Sequence, residues 1–231
     1  TPPLPSLPTS LPTPLNPTSS YPPGLSYYPP SLSYLPSSYL DSLHSYLTSS
    51  TLPYHNLPHS KRSVLLLTCP TGAHKTHPIL TPLLTSSLLQ HHFPPSTLPP
   101  NSLLINNYPQ SDIGIMPHSD GPAYYPKTLT VTLGRCAIMC FHESLQTSEI
   151  GLKPRRGYKT LLEVGGVVVF EGVWYEGMMH EIKGKDDRGE ERGNAREEWI
   201  EWDGKTGNRN FVVGEANRVS ITIRHKYNLV E

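Results

Sequence analysis

His118 and Asp120 stand two residues apart in GIMPHSDG. On a strand, side chains at i and i+2 leave the same face, so an imidazole and a carboxylate would converge on one point. A further imidazole from a neighbouring strand would complete a facial 2-His-1-carboxylate set with open positions, the donor set of non-haem Fe(II) oxygenases. Three later histidines could supply it. His142 follows Asp120 on the next strand-like segment but one, His225 stands near the end of the chain, and His180 lies in YEGMMHEI behind the apolar run VVVF. His180, approached through Gly177, is the preferred third ligand. A lone His-x-Asp is more often an ordinary hydrogen-bonded pair, so the pattern needs company.

RVSITIR provides some. Arg218, Ser220, Thr222 and Arg224 alternate onto one face, with Val219, Ile221 and Ile223 on the other. Two arginines turned into an apolar sheet are costly unless each meets an anion. A guanidinium fork matches a carboxylate, which points to a small dicarboxylate. The plainer alternative has both arginines in solvent and the Val/Ile face in the core. In LLINNYPQ, Asn106 and Tyr108 also share a face and could hold the same carboxylate as Arg218; otherwise they simply end a strand before Pro109.

These residues need a scaffold of short strands, and the later sequence supplies one. NSLLINNY, GIMPH, KTLTVTLG, AIMCFHE, KTLLEV, GVVVFEG, EGMMHEI and RVSITIRHK are each bounded by Gly, Pro, Asn or Asp. Such spacing without intervening helices predicts an all-β sandwich or jelly roll over 101–231. The mixed-charge, Gly-punctuated stretch 183–210 reads as a solvated loop inserted between two late strands. Residues 25–100 form an α/β lead-in. Leu40, Leu43 and Leu47 predict a short helix, Val64 to Leu67 a strand, and Leu83, Leu84, Leu88 and Leu89 a second helical stretch. Residues 1–24 carry proline every two or three positions and read as a disordered tail.

Composition sets limits. Of the 231 residues, 19 are Lys or Arg and 19 Asp or Glu, yet before position 111 only Asp41, Lys61, Arg62 and Lys75 are charged. The 26 prolines run the other way, with only Pro117, Pro122, Pro126 and Pro154 after that point. From 111 onward 16 basic residues face 18 acidic ones, and the pI of about 7.1 is far from that of a duplex-binding domain. No apolar run approaches the roughly 18 residues of a membrane span, so no membrane partner is expected. Three scattered cysteines fit a reducing, intracellular setting, cytoplasm or nucleus, rather than a disulfide framework.

Asn-x-Tyr, His-x-Asp, a distal His and Arg-x5-Arg, in that order, resemble the AlkB-like Fe(II)/2-oxoglutarate dioxygenases. NNYPQSDIGIMPHSDGPAYYPKTLTVTLG is similar in particular to the AlkB homologue 6 subgroup, and LLEVGGVVVFEGVWYEGMMHEI and RVSITIR resemble its later strands. The likeness covers about 101–231 and is thin before that. It implies a double-stranded β-helix, a mainly β jelly roll with a few helices. It implies Fe(II) on His118, Asp120 and His180, with 2-oxoglutarate on Asn106, Tyr108 and Arg218. Arg224 would lie at the metal end of the same strand, near the co-substrate or Asp120. The implied chemistry consumes O2 and 2-oxoglutarate and oxidises a C–H bond, as in oxidative removal of an N-methyl group from a nucleobase held single-stranded or flipped out. A protein side-chain hydroxylase or demethylase of the same fold, and a non-catalytic β-sandwich interaction module, are the rival expectations. Where family repair enzymes stack a base on lid aromatics, Trp174, Trp199 and Trp202 lie outside the lead-in, leaving Tyr27, Tyr28 or Tyr54 as candidates. Gly121-Pro122 departs from the polar residues that often follow the aspartate in those enzymes.

Overall fold

The structure, a computed structural model, describes residues 24–30, 35–57, 60–68, 77–110, 113–143, 156–183, 198–201 and 217–227. The Pro-rich tail expected over 1–24 falls outside these residues except for Gly24, as does most of the charged insert.

Alternation is clearest in KTLTVTL and RVSITIR, and the described strands form two sheets. Seven strands make an antiparallel sheet in the order β1 (Leu25–Tyr28), β9 (Val167–Glu171), β6 (Lys127–Leu133), β12 (Arg218–Arg224), β4 (Ser102–Tyr108), β3 (Ser63–Thr68), β2 (His55–Asn56). Five make the smaller sheet, in the order β11 (Glu198–Glu201), β8 (Arg156–Leu162), β7 (Ala137–Glu143), β10 (Met178–Ile182), β5 (Ile115–His118). From β4 to β12 the chain winds between them: β4, β6, β9 and β12 lie in the large sheet, while β5, β7, β8 and β10 lie in the small one. That winding is a double-stranded β-helix, as expected. Strands β1, β2 and β3 extend its large sheet.

Helix α1 (Ser37–Leu47) buries Leu40, Leu43 and Leu47, the helical stripe read from the sequence, and Tyr39 beside them. After a 3-10 turn at Pro78–Leu80 come α2 (Thr81–Leu84) and α3 (Ser87–His92). Ser86 caps α3 by accepting from the Leu89 amide at 3.3 Å, and Pro94 closes it. These helices pack on one face of the large sheet, against Leu103, Ile105, Leu129, Val131, Val219, Ile221 and Ile223. The other face meets the small sheet through Phe141, Val168, Phe170, Trp174 and Ile182. Both faces of β12 are therefore buried, and the choice posed by its alternation dissolves. The Val/Ile side is core under the helices, while the Arg/Ser/Thr side is buried between the sheets.

Three expectations change. A short helix, α4 (Val173–Glu176), interrupts the later strands, because Gly172 adopts a φ of 58 that turns β9 out of the sheet. The charged insert is not all solvated loop, since β11 pairs in parallel with β8, Trp199 opposite Gly157. The tyrosines proposed for a lid are structural. Tyr27 and Tyr28 are core residues on β1, and Tyr54 donates its hydroxyl to the Leu47 carbonyl at 2.8 Å.

His92, ending α3, lies 2.9 Å from the Tyr28 hydroxyl. Burial first, then the charges of His91 and Lys127, push its pKa down to about 4. Between about 6.5, the ordinary value, and about 4 the unfolded chain binds a proton that the folded chain refuses. This contribution to stability is whole above pH 6.5 and is lost as pH falls through 4. A His92→Gln protein is expected to lose less thermal stability than wild type between pH 7 and pH 5. Equal losses in differential scanning calorimetry would remove His92 from the account.

Candidate functional site

The space between the sheets has an apolar end and a polar end. Trp174 sits at the apolar end, its ring 5.3 Å from Phe141 and 4.8 Å from Tyr158. At the polar end Thr128 and Thr130 of β6, Ser220 and Thr222 of β12, and Asn106 of β4 line a cavity open to solvent, about 420 Å³ of empty space including its mouth.

The mouth carries the histidines and the aspartate. β10 pairs with β5 so that His180 lies opposite His118, with an irregularity before Ile182–Ile115, and the two rings are 4.3 Å apart. Ligand atoms of His118, Asp120 and His180 all fall within 4.8 Å of one another, the geometry of a site that could hold one metal ion. Asp120 lies just past the end of β5 rather than on it, so its aim comes from its partners and not from strand alternation. Arg224 donates to Asp120 Oδ1 at 2.9 Å, and the Thr128 hydroxyl donates to Oδ2 at 3.3 Å. The Arg224 guanidinium in turn lies 3.9 Å from the centre of the Tyr124 ring.

The imidazoles are prepared differently. His118 Nδ1 sits 2.8 Å from the Met116 carbonyl. A carbonyl only accepts, so Nδ1 carries the proton and Nε2 keeps its lone pair for the mouth. His180 is nearly enclosed beside Phe170, 5.0 Å between ring centres. Burial first, then the His118 imidazole, lower its pKa to about 4, with Asp120 pulling the other way. It is thus neutral near pH 7, the form that binds metals.

At the other end of β12, Arg218 is 2 % exposed and pairs in register with Tyr108, its guanidinium 4.7 Å from the centre of that ring. Among the described residues its Nε, Nη1 and Nη2 make no hydrogen bond of good geometry, although the Tyr108 hydroxyl lies close enough to act on the guanidinium. Burial lowers the guanidinium pKa, while the neighbouring Tyr108 opposes the change. A buried cation with no anionic partner among the described residues is expensive, and an anionic ligand in the cavity would relieve it.

The cavity thus brings together His118, Asp120, His180, Asn106, Tyr108 and Arg218, with Arg224 bound to Asp120. It leaves out the other histidines. His142 turns to the opposite face of the small sheet, where Nε2 meets Glu181 Oε1 at 2.7 Å and Lys183 binds the same oxygen at 2.6 Å. His225 is bonded to the Pro99 carbonyl. Reading the sequence missed Thr128 and Thr130, whose alternation with Leu129 and Val131 was a usable signal. It also missed Arg62, which donates to Asn106 Oδ1 at 2.9 Å and which no local pattern marks.

No family model matches the chain. In sequence it is similar to a curated protein of Danio rerio named "Probable RNA/DNA demethylase ALKBH6", at 27% identity over 130 residues, 54% of this chain and 53% of that protein. The chain therefore spans about half the length of the curated relative it matches. Among solved structures, OsALKBH1 aligns over 95% of this chain and all of its own at 14% identity, with a TM-score of 0.47. A prolyl-4-hydroxylase of Pseudomonas putida aligns over 89% of this chain and 93% of its own, at 11% identity and a TM-score of 0.49. The sequence resemblance is to an AlkB-like protein, and the fold is a jelly roll. Among the described residues no helix is long and apolar enough to cross a membrane.

Proposed function

We propose that the chain is an Fe(II)/2-oxoglutarate-dependent dioxygenase of the AlkB-like type, acting on an N-methylated nucleobase. One observation carries the reading: a single strand holds at one end a buried guanidinium with no anionic partner among the described residues and, at the other, the arginine that clamps the carboxylate of a His/Asp/His cluster.

His118, Asp120 and His180 would hold Fe(II), and Arg218, Asn106 and Tyr108 would hold the distal carboxylate of 2-oxoglutarate. Bound together with O2, these supply oxidation of a substrate C–H bond coupled to release of succinate and CO2; on an N-methyl group the product loses formaldehyde. The chain's own part is to bind, orient and shield. Arg224 and Thr128 fix both oxygens of Asp120, the Met116 carbonyl fixes the His118 tautomer, and Ile115, Met139 and Ile182 line the cavity with hydrocarbon. Half-exposed Leu66 is paired in register with Leu104 of the cavity wall.

The nucleobase reading is supported by the relative's name and by the run His118 to Pro126, HSDGPAYYP. A base would have to enter from a single strand or be flipped out. The zero net charge offers no broad electrostatic footprint for a long duplex. Turnover of 2-oxoglutarate to succinate, measured over methylated nucleosides, oligonucleotides and peptides, tests this. Stimulation by a methylated oligonucleotide with formaldehyde release is expected. Stimulation by peptides alone would replace the nucleobase with a protein side chain.

A further inference from the structure

We propose that Arg62 is a positioning residue that sets which end of the Asn106 amide faces the cavity. The inference rests on the proposed binding of 2-oxoglutarate by Asn106, Tyr108 and Arg218.

An asparagine amide is nearly symmetric in shape, yet one end accepts and the other donates, and only its neighbours decide which way it points. Asn106 is buried, and its two ends have different partners. Arg62 Nη1 lies 2.9 Å from Oδ1. A guanidinium has no acceptor, so only the oxygen can face it. The NH2 group is thereby turned toward Ser220, whose Oγ is 3.5 Å from Nδ2, on the wall both residues share with Arg218. That contact is long, and one amide hydrogen stays available to a ligand. The result is a wall of donors: the Arg218 guanidinium, the Asn106 NH2 group, and the hydroxyls of Tyr108 and Ser220. Such a wall suits a carboxylate. Flipped, the same amide would present its oxygen to that carboxylate and repel it.

The backbone around Arg62 is built to deliver it. Lys61 has a φ of 52, the one left-handed non-glycine among the described residues. A side chain in that region carries a conformational cost of about 1 kcal/mol or more, kept where the surroundings demand it. The turn is held by the Leu57 amide donating to the Arg62 carbonyl at 3.0 Å, and β3 then pairs with Val64 opposite Asn106. Among the described residues Arg62 Nε is buried without a hydrogen-bond partner, while Nη1 is bonded to Asn106.

The test measures binding apart from turnover. Equilibrium dialysis of labelled 2-oxoglutarate against Mn(II)-loaded protein without O2 is compared for wild type, R62M, R62K, N106A and R62M/N106A. R62M is expected to weaken 2-oxoglutarate binding about tenfold, the scale of one hydrogen bond to a charged group. Mn(II) affinity should be unchanged, and in turnover the KM for 2-oxoglutarate should rise by a similar factor with kcat within twofold. R62K, also a donor without an acceptor, should lie between wild type and R62M. In the N106A background R62M should have no further effect, because its influence passes through the amide. Wild-type affinity in R62M overturns the inference, as does R62K binding no better than R62M, or an equal loss with or without Asn106. Absence of 2-oxoglutarate binding in the wild type itself would overturn the reading of the cavity, whatever Arg62 does.

Discussion

A His118→Ala protein is expected to keep its fold and lose Fe(II)-dependent succinate formation by at least about 100-fold, because even a residue that merely supports a metal ligand is typically worth roughly 10–100-fold. The two halves of this expectation come from where His118 sits. It is the last residue of β5, an outermost strand, and its side-chain hydrogen bond is a local one, to the Met116 carbonyl two residues back. Removing it should change stability by no more than about 0.5–1 kcal/mol, the ordinary range for a half-exposed position. Chemically it leaves His180 and Asp120 as two donors where three converge now. Arg224 would then compete without opposition for the Asp120 carboxylate, which it already touches at 2.9 Å. Succinate yield against Fe(II) concentration, with urea unfolding of the same protein as the control, is the measurement. Turnover equal to wild type at any Fe(II) concentration would end the enzyme reading at this site.

Replacing Arg218 by methionine should move stability and binding in opposite directions. The guanidinium is fully enclosed, its burial lowers its pKa, and its three nitrogens have no anionic partner among the described residues. Without an anion, the folded protein therefore bears the cost of a buried charge. Methionine fills much of the same volume with a flexible apolar chain. Exchanges of buried charged groups for apolar ones of similar volume are often neutral or stabilising by roughly 1–4 kcal/mol. The ligand-free variant is thus expected to unfold at a higher urea concentration than wild type. Its affinity for 2-oxoglutarate should fall by the roughly 2–5 kcal/mol that follows loss of one partner of a buried charge pair. Added 2-oxoglutarate should stabilise the wild type by mass action and leave the variant unmoved. A ligand-free variant less stable than wild type would mean that Arg218 already has its anion within the protein.

Much of the site was legible because strands with period two write their faces openly. Arg218, Ser220, Thr222 and Arg224 share a face in the sequence, and Arg218, Ser220 and Thr222 line one cavity in the fold. What the alternation could not tell was the fate of the other face, since a strand buried on both sides looks the same as one half-exposed. His118 and Asp120 were paired by strand logic, although Asp120 has left the strand and owes its aim to Arg224 and Thr128. Strand β11 was hidden because EWIE sits among charges and pairs with β8, a strand distant in sequence. Strand β1 was hidden by the prolines around LSYY, and with it the reason that Tyr27 and Tyr28 serve the core. The contact from Arg62 to Asn106 joins residues 44 positions apart and depends on one left-handed turn at Lys61.

Among the described residues, the outermost strands of the two sheets share a habit of brevity. Strand β1 has four residues and β2 only two, while β11, also of four, covers the flank of β8. On the last flank, β5 carries Pro117, which has no amide hydrogen to offer. An unpaired flank is a template on which another polypeptide can lay itself, and long flat ones invite aggregation. These four offer little to copy. The same economy bears on recognition: an extended peptide would find a poor docking ladder along β5 beside the mouth.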